Sequence, residues 1–145
     1  MSRRQSREIS LQILYLTHFN NTIKENDIDE LIKYFCEINN FKFNLIFNYS
    51  KKIIIGTLKN IDLIDNEIQN VLHNWKLERL SLIDLNILRM AIFEIMFCED
   101  IPKVVIINEA NELAKRYSNK NSNKFVNGIL DKIIKKRGLN IEPVK

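Results

Sequence analysis

The sequence predicts an all-α protein, and three observations carry that prediction. Only three Gly and two Pro occur in 145 residues, too few turn-formers for the many reversals of a β-rich fold. Apolar residues recur at helical rather than alternating spacing along most of the chain. Helix-opening and helix-stopping residues stand where the periodic stretches begin and end, as at Ser81, Pro102, Ser122 and Gly138. The length suits one domain that buries a real core. A hydrophobic share of 46% beside 28% charged residues points to a soluble globular chain, neither disordered nor fibrous.

About seven helices are expected. From Arg3 to about Phe19, Ile9, Ile13 and Leu16 form one stripe, and at about 100° per residue Arg3, Arg4 and Arg7 fall opposite it. The first helix should therefore start basic and exposed, then enter the body of the protein, where Leu11, Leu14 and Tyr15 broaden its apolar side. Asp27 with Glu30 three residues on has the form of a capping box for a second helix through Leu31, Ile32, Phe35 and Ile38. A third helical region runs from about Phe43 past Ile53, Ile54 and Leu58, bends near Asn60, and continues through Leu63, Ile64, Ile68 and Val71.

Ser81 and Asp84 cap a helix whose apolar residues, among them Leu85, Leu88, Met90, Ile92 and Ile95, point almost all round. That pattern belongs to a central, buried helix, in which Arg89 and Glu94 should be ion-paired. Pro102 blocks its continuation, and the next helix, about Val104 to Tyr117, has Ile106, Ala110 and Leu113 on one face. Ser122 is the expected N-cap of the last helix. Lys135, Lys136 and Arg137 end it before Gly138, in keeping with the preference for cations at a helix C-terminus.

Composition and motifs exclude most chemistry. A net charge of +4 permits a polyanionic partner without demanding one. Cys36 and Cys98 stand alone, with no C-x-x-C and no His pair at ligand spacing, so no metal site and no disulfide is expected, and both read as core thiols in a reducing compartment. No G-x-G-x-x-G or G-K-[ST] loop is present to cradle phosphates, and no cofactor is expected. His18 and His73 are the only histidines, and neither sits in a nucleophile–base motif. The chain is thus predicted not to be an enzyme. The carboxylate pairs Asp62/Asp65 and Glu109/Glu112 read as solvated surface charge. No stretch has the length and apolarity of a membrane span, so no membrane association is expected and the cytoplasm is the default.

Two features point beyond a bland helical domain. Arg3, Arg4 and Arg7 on one side of a helix end could follow phosphates, because each guanidinium offers a rigid fork of donors; a merely solubilising basic start is the alternative. Phe125 falls roughly 110° from the centre of the stripe formed by Val126, Ile129, Leu130, Ile133 and Ile134. Near a helix N-terminus and flanked by Ser122, Asn123 and Lys124, an exposed ring there suits stacking on an unpaired base; a ring covered by another helix is the alternative. Asp84 is open to two readings, the fourth residue of a capping box or a carboxylate facing a partner. Trp75 and Tyr49 read as core or interface anchors.

Four segments together resemble the NusB family. They are Trp75 with Arg79; Asp84 with Ile87-Leu88-Arg89 and Ala91; Ile101-Pro102 with Asn108-Glu109-Ala110 and Glu112-Leu113-Ala114-Lys115; and Ser122 with the run from Lys124 to Lys132. The start, Arg3-Arg4 with Arg7-Glu8 leading to Gln12 and Leu14-Tyr15, is similar to the family's basic first helix. The resemblance implies a NusB-like fold of two packed helical subdomains, about 1–74 and 75–145, acting as a single RNA-binding domain over 1–145. It also implies transcription antitermination: binding of single-stranded boxA RNA in nascent, mainly ribosomal, transcripts together with the small-subunit ribosomal protein NusE, and indirectly with RNA polymerase and other Nus factors. By that resemblance Arg3, Arg4, Arg7, Asn121, Ser122, Lys124 and Phe125 would face RNA. Tyr15 would lie where RNA and protein partner meet, and Asp84 would meet NusE. Asn121 stands where the family often has an acid, a change that should favour RNA if it acts at all. A homodimer stays open, as does a NusB-like accessory domain of an RNA methyltransferase or a purely protein-binding helical module.

Overall fold

The computed structural model describes residues 2–139, and among them seven α-helices and two short 3₁₀ turns account for the regular structure, with no strand. The helices are α1 (Ser2–Phe19), α2 (Ile28–Asn39), α3 (Phe43–Lys59), α4 (Ile61–Val71), α5 (Leu82–Phe97), α6 (Lys103–Tyr117) and α7 (Ser122–Lys136). The all-α expectation holds, and each boundary falls within a residue or two of the sequence signal. The chain divides into two compact units, the first ending at Lys59 and the second beginning at Asn60. The sequence reading placed the division near residue 74. It lies earlier because α4 packs on α5 and α7 rather than on the helices that precede it.

The first unit is a three-helix layer of α1, α2 and α3, each in contact with the other two. Its core is Ile9, Ile13, Ile32, Ile46, Ile53 and Ile54, all fully buried. Helices α1 and α3 approach closely because serines meet at their contact. Ser50 Oγ donates to the Ser6 carbonyl at 3.2 Å and Ser6 Oγ lies 3.3 Å from the Ile46 carbonyl. Each hydroxyl is small enough to admit the neighbouring backbone and satisfies a carbonyl there, so neither of these two buried hydroxyls lacks an acceptor. Asp27 does open α2, but not through the expected box with Glu30: its carboxylate accepts the Lys24 N–H at 2.8 Å. Asn40, at φ 58°, closes α2 in the left-handed region, which Asn tolerates better than most residues.

The second unit is built round α5, which contacts α4, α6 and α7 and is buried at twelve consecutive residues, Asp84 to Ile95. No face of that helix is left for water, which is why its apolar residues point all round. Its charged Arg89 is neutralised as expected: Nε and Nη2 each lie 2.8 Å from one oxygen of Asp65 on α4, a bidentate fork. Asp65 is therefore a tether between α4 and α5, not the solvated charge inferred from spacing. Ser81 caps α5 by accepting the Asp84 N–H at 3.2 Å. The N-cap of α7 is Asn121 rather than Ser122, whose hydroxyl is engaged elsewhere. Gly138, at φ 70°, ends α7 in a conformation that side-chain-bearing residues rarely adopt, and Arg137 pairs with Glu67 of α4.

Candidate nucleic-acid interface

In the first unit, α1 carries three arginines on its first two turns, but they do not share one environment. Arg3 and Arg4 are exposed, whereas Arg7 is only 4% exposed. The Tyr49 ring of α3 lies 4.7 Å from the Arg3 guanidinium carbon and 5.7 Å from that of Arg7. A cation–π contact orients a guanidinium over the ring, so Arg3 is held at the surface against Tyr49 while Arg7 is enclosed. The expectation that Arg7 faces a ligand runs against its burial: α2 and α3 both pack on α1, and at Arg7 the side opposite the apolar stripe is covered as well. At the other end of the helix Tyr15 is 40% and Phe19 67% exposed, their rings edge to face at 5.2 Å. Phe19 was not singled out from the sequence, although its spacing of four from Tyr15 puts both on one face.

In the second unit the start of α7 sorts the expected residues in the same way. Asn121, Lys124 and Phe125 are exposed, Phe125 to 37%. Ser122 is buried, and so is Asp84. Ser118 Oγ donates to Asp84 Oδ1 at 2.6 Å and Ser122 Oγ donates to Asp84 Oδ2 at 3.1 Å, while the two hydroxyls lie 2.9 Å apart. Both carboxylate oxygens are thus occupied inside the protein. Asp84 is a latch from α5 to the loop before α7 and to its first turn, and Ser122 belongs to that latch rather than to the surface. The latch fixes the turn on which Lys124 and Phe125 stand.

A cleft of about 340 Å³ opens beside Phe125. Trp75, His73, Lys124 and Lys132 line it with Phe125, and Gly128 lies between them on α7. Trp75 is 60% exposed, so the open choice between core and interface resolves toward the surface. Its loop is braced by Gln69 of α4, whose Nε2 donates to the Trp75 carbonyl at 3.0 Å and whose Oε1 accepts the Leu77 N–H at 2.9 Å. Trp75 and Lys132 were absent from the sequence-derived site. The signal was present for Lys132, since Lys124, Gly128 and Lys132 recur at a spacing of four and so share a face. Among the described residues no group of three or more His, Cys, Asp or Glu side chains could hold a metal ion, and no helix is long and apolar enough to cross a membrane. Burial pushes the Cys36 thiol above its ordinary pKa, which suits a packing residue rather than a nucleophile.

The sequence profile of the NusB family matches residues 4–135. The chain belongs to the NusB family. It is 46% identical over 136 residues to the transcription antitermination protein NusB of Clostridium novyi (strain NT), covering 93% of this chain and 99% of that relative. Among solved structures, T. maritima NusB superposes with a TM-score of 0.78 at 37% identity, over 94% of this chain and 92% of that one. A chain from the crystal structure of antitermination factors NusB and NusE in complex with dsRNA superposes with a TM-score of 0.79 at 26% identity, over 93% of this chain and 97% of that one. The NusB-family match spans both helical units, including the basic start of α1 from Arg4 and the Lys124–Phe125 turn of α7.

Proposed function

We propose that this chain is a transcription antitermination factor. It binds single-stranded boxA RNA in nascent, chiefly ribosomal, transcripts together with the ribosomal protein NusE, and so helps RNA polymerase and the other Nus factors pass terminators in the cytoplasm. The observation that carries the reading is similarity over nearly the whole of both chains to an antitermination protein of C. novyi. The surfaces of the two units support it. Arg3 and Arg4 neutralise phosphates; Phe125 offers a flat ring to an unpaired base, with Lys124 and Asn121 beside it. The exposed rings of Tyr15 and Phe19 suit the place where RNA gives way to the protein partner. The work is binding alone, without covalent chemistry.

Titration with a boxA-type RNA, with and without NusE and at two salt concentrations, tests this. Affinity should rise when NusE is present and fall with salt, with a log–log slope of about 0.7 per single-strand phosphate neutralised. Failure to bind RNA either alone or with NusE overturns the proposal.

A further inference from the structure

The cleft beside Phe125 has features that an exposed stacking ring alone does not explain. Its lining contains two aromatic side chains, Trp75 and Phe125, and two lysines, Lys124 and Lys132, but no carboxylate. Both rings and both amines are exposed. Leaving a tryptophan 60% exposed costs hydrophobic burial, and its loop is nevertheless pinned by the Gln69 amide at the Trp75 carbonyl and the Leu77 N–H. At the middle of the α7 face the sequence places Gly128, where an added Cβ would meet nothing within 4 Å. A glycine inside a helix is unfavourable relative to alanine, and here no close contact requires it. What the missing side chain does leave is room in the cleft. The volume, about 340 Å³, lies at the lower end of the ~300–1,000 Å³ typical of pockets that enclose small ligands.

We propose that this cleft takes one unpaired RNA base, stacked against Trp75 as well as Phe125, with Lys124 and Lys132 on the adjoining phosphates and Gln69 as the residue that positions the tryptophan loop. The inference rests on the RNA-binding reading above and adds to it a second aromatic platform and a base-sized pocket. Two aromatic faces with flanking cations suit a base carrying its phosphates better than they suit an apolar peptide, which would gain nothing from the amines.

Trp75 is the single tryptophan of the chain, so its fluorescence reports on the cleft directly. The full chain is titrated with a single-stranded boxA-type RNA, with a fully paired duplex of the same sequence, and with NusE alone. The single strand should quench Trp75 emission as it binds, and the duplex, whose bases are already stacked, should not. Trp75→Ala should weaken single-strand binding by about five- to one-hundred-fold, the range produced by loss of one base–aromatic stack. Gly128→Leu, which fills the cleft from a helix position with open space, should weaken binding comparably while leaving helix content and thermal stability no lower than in the parent. Gln69→Ala should weaken binding less, and broaden or shift the unliganded Trp75 emission.

RNA binding that leaves Trp75 emission unchanged and is indifferent to Trp75→Ala and Gly128→Leu overturns the base pocket while the RNA-binding reading stands. Absence of RNA binding by the parent chain, alone or with NusE, overturns both. Quenching by NusE alone assigns the cleft to a protein partner and also overturns the inference.

Discussion

Replacing Asp84 by alanine separates the two roles open to this residue, because the hydrogen bonds it makes belong to the fold. The substitution removes the acceptor of Ser118 Oγ at 2.6 Å and of Ser122 Oγ at 3.1 Å from a site that is 7% exposed. A hydrogen bond to a charged group contributes roughly 1.5–3 kcal/mol net. The two bonds are not additive, since the hydroxyls lie 2.9 Å apart and can pair with each other once the carboxylate is gone. Loss of an acid from the first turn of α5 adds about 0.3–1 kcal/mol. The expected destabilisation is therefore about 3 kcal/mol, against a total of roughly 5–15 kcal/mol for a domain, so the protein still folds. With a urea slope of about 2 kcal/mol/M, the midpoint should fall by about 1.5 M with the slope unchanged, followed by the fluorescence of Trp75 in the same unit. Asp84→Asn, which keeps one acceptor, should lose less. Amide exchange should accelerate most at the start of α7, and RNA affinity should fall because that turn carries Lys124 and Phe125. A midpoint within about 0.3 M of the parent, together with selective loss of NusE binding, would refute the latch and restore a direct role in partner binding.

The remaining tests contrast surface with core. Phe125→Ala should weaken RNA binding by about 1–3 kcal/mol with the urea midpoint nearly unchanged, whereas Arg7→Ala, at a position 4% exposed, should lower stability more than it alters the salt dependence of RNA binding. Arg89→Ala leaves Asp65 without its bidentate partner and should cost about 3 kcal/mol in urea unfolding, with little change in the Trp75 response to RNA. The unfolded chain releases the Cys36 proton near the ordinary value of 9.0, while the folded chain holds it to higher pH. The stability this confers is present below pH 9 and declines as pH rises above it, a decline that Cys36→Ala should flatten in urea unfolding across that range.

How much could be read in advance depended on whether the determining contact was local. The helices were legible because their periodicity, Ser81 and Pro102 act within a few residues of themselves. The buried α5 was legible because apolar residues all round one helix leave it no exposed face. Asp65 was misread for the opposite reason: at helical spacing from Asp62 it looks like surface charge, and only the packing of α4 on α5 brings Arg89 to it. The basic start of α1 shows a subtler failure. The projection set Arg3, Arg4 and Arg7 opposite the apolar stripe, but periodicity tells which faces differ in polarity and not how many neighbours a helix has. With α2 and α3 both against α1, and Ser6, Ser10 and Ser50 letting α1 and α3 approach closely, a polar face can be enclosed as well.

The same distinction governs the start of α7, where one short run holds residues with opposite fates. Spacing placed Phe125 off the core stripe but left open whether another helix covers the ring, and only the packing of the unit leaves it 37% exposed. Ser122, three residues earlier, looked like a cap because caps are local, yet its hydroxyl is taken by a carboxylate 38 residues away in sequence. A second donor, Ser118, reaches the same carboxylate across 34 residues. Three polar side chains that satisfy one another where helices meet, two of them buried, are individually indistinguishable from surface residues until the helices that carry them are docked. Once docked, they act on the surface indirectly: an inward-facing latch orders the turn whose outward side presents a ring and an amine. Binding by Lys124 and Phe125 should then depend on a residue that no ligand touches, which is why the Asp84 variants should lose affinity and stability together while Phe125→Ala loses affinity alone.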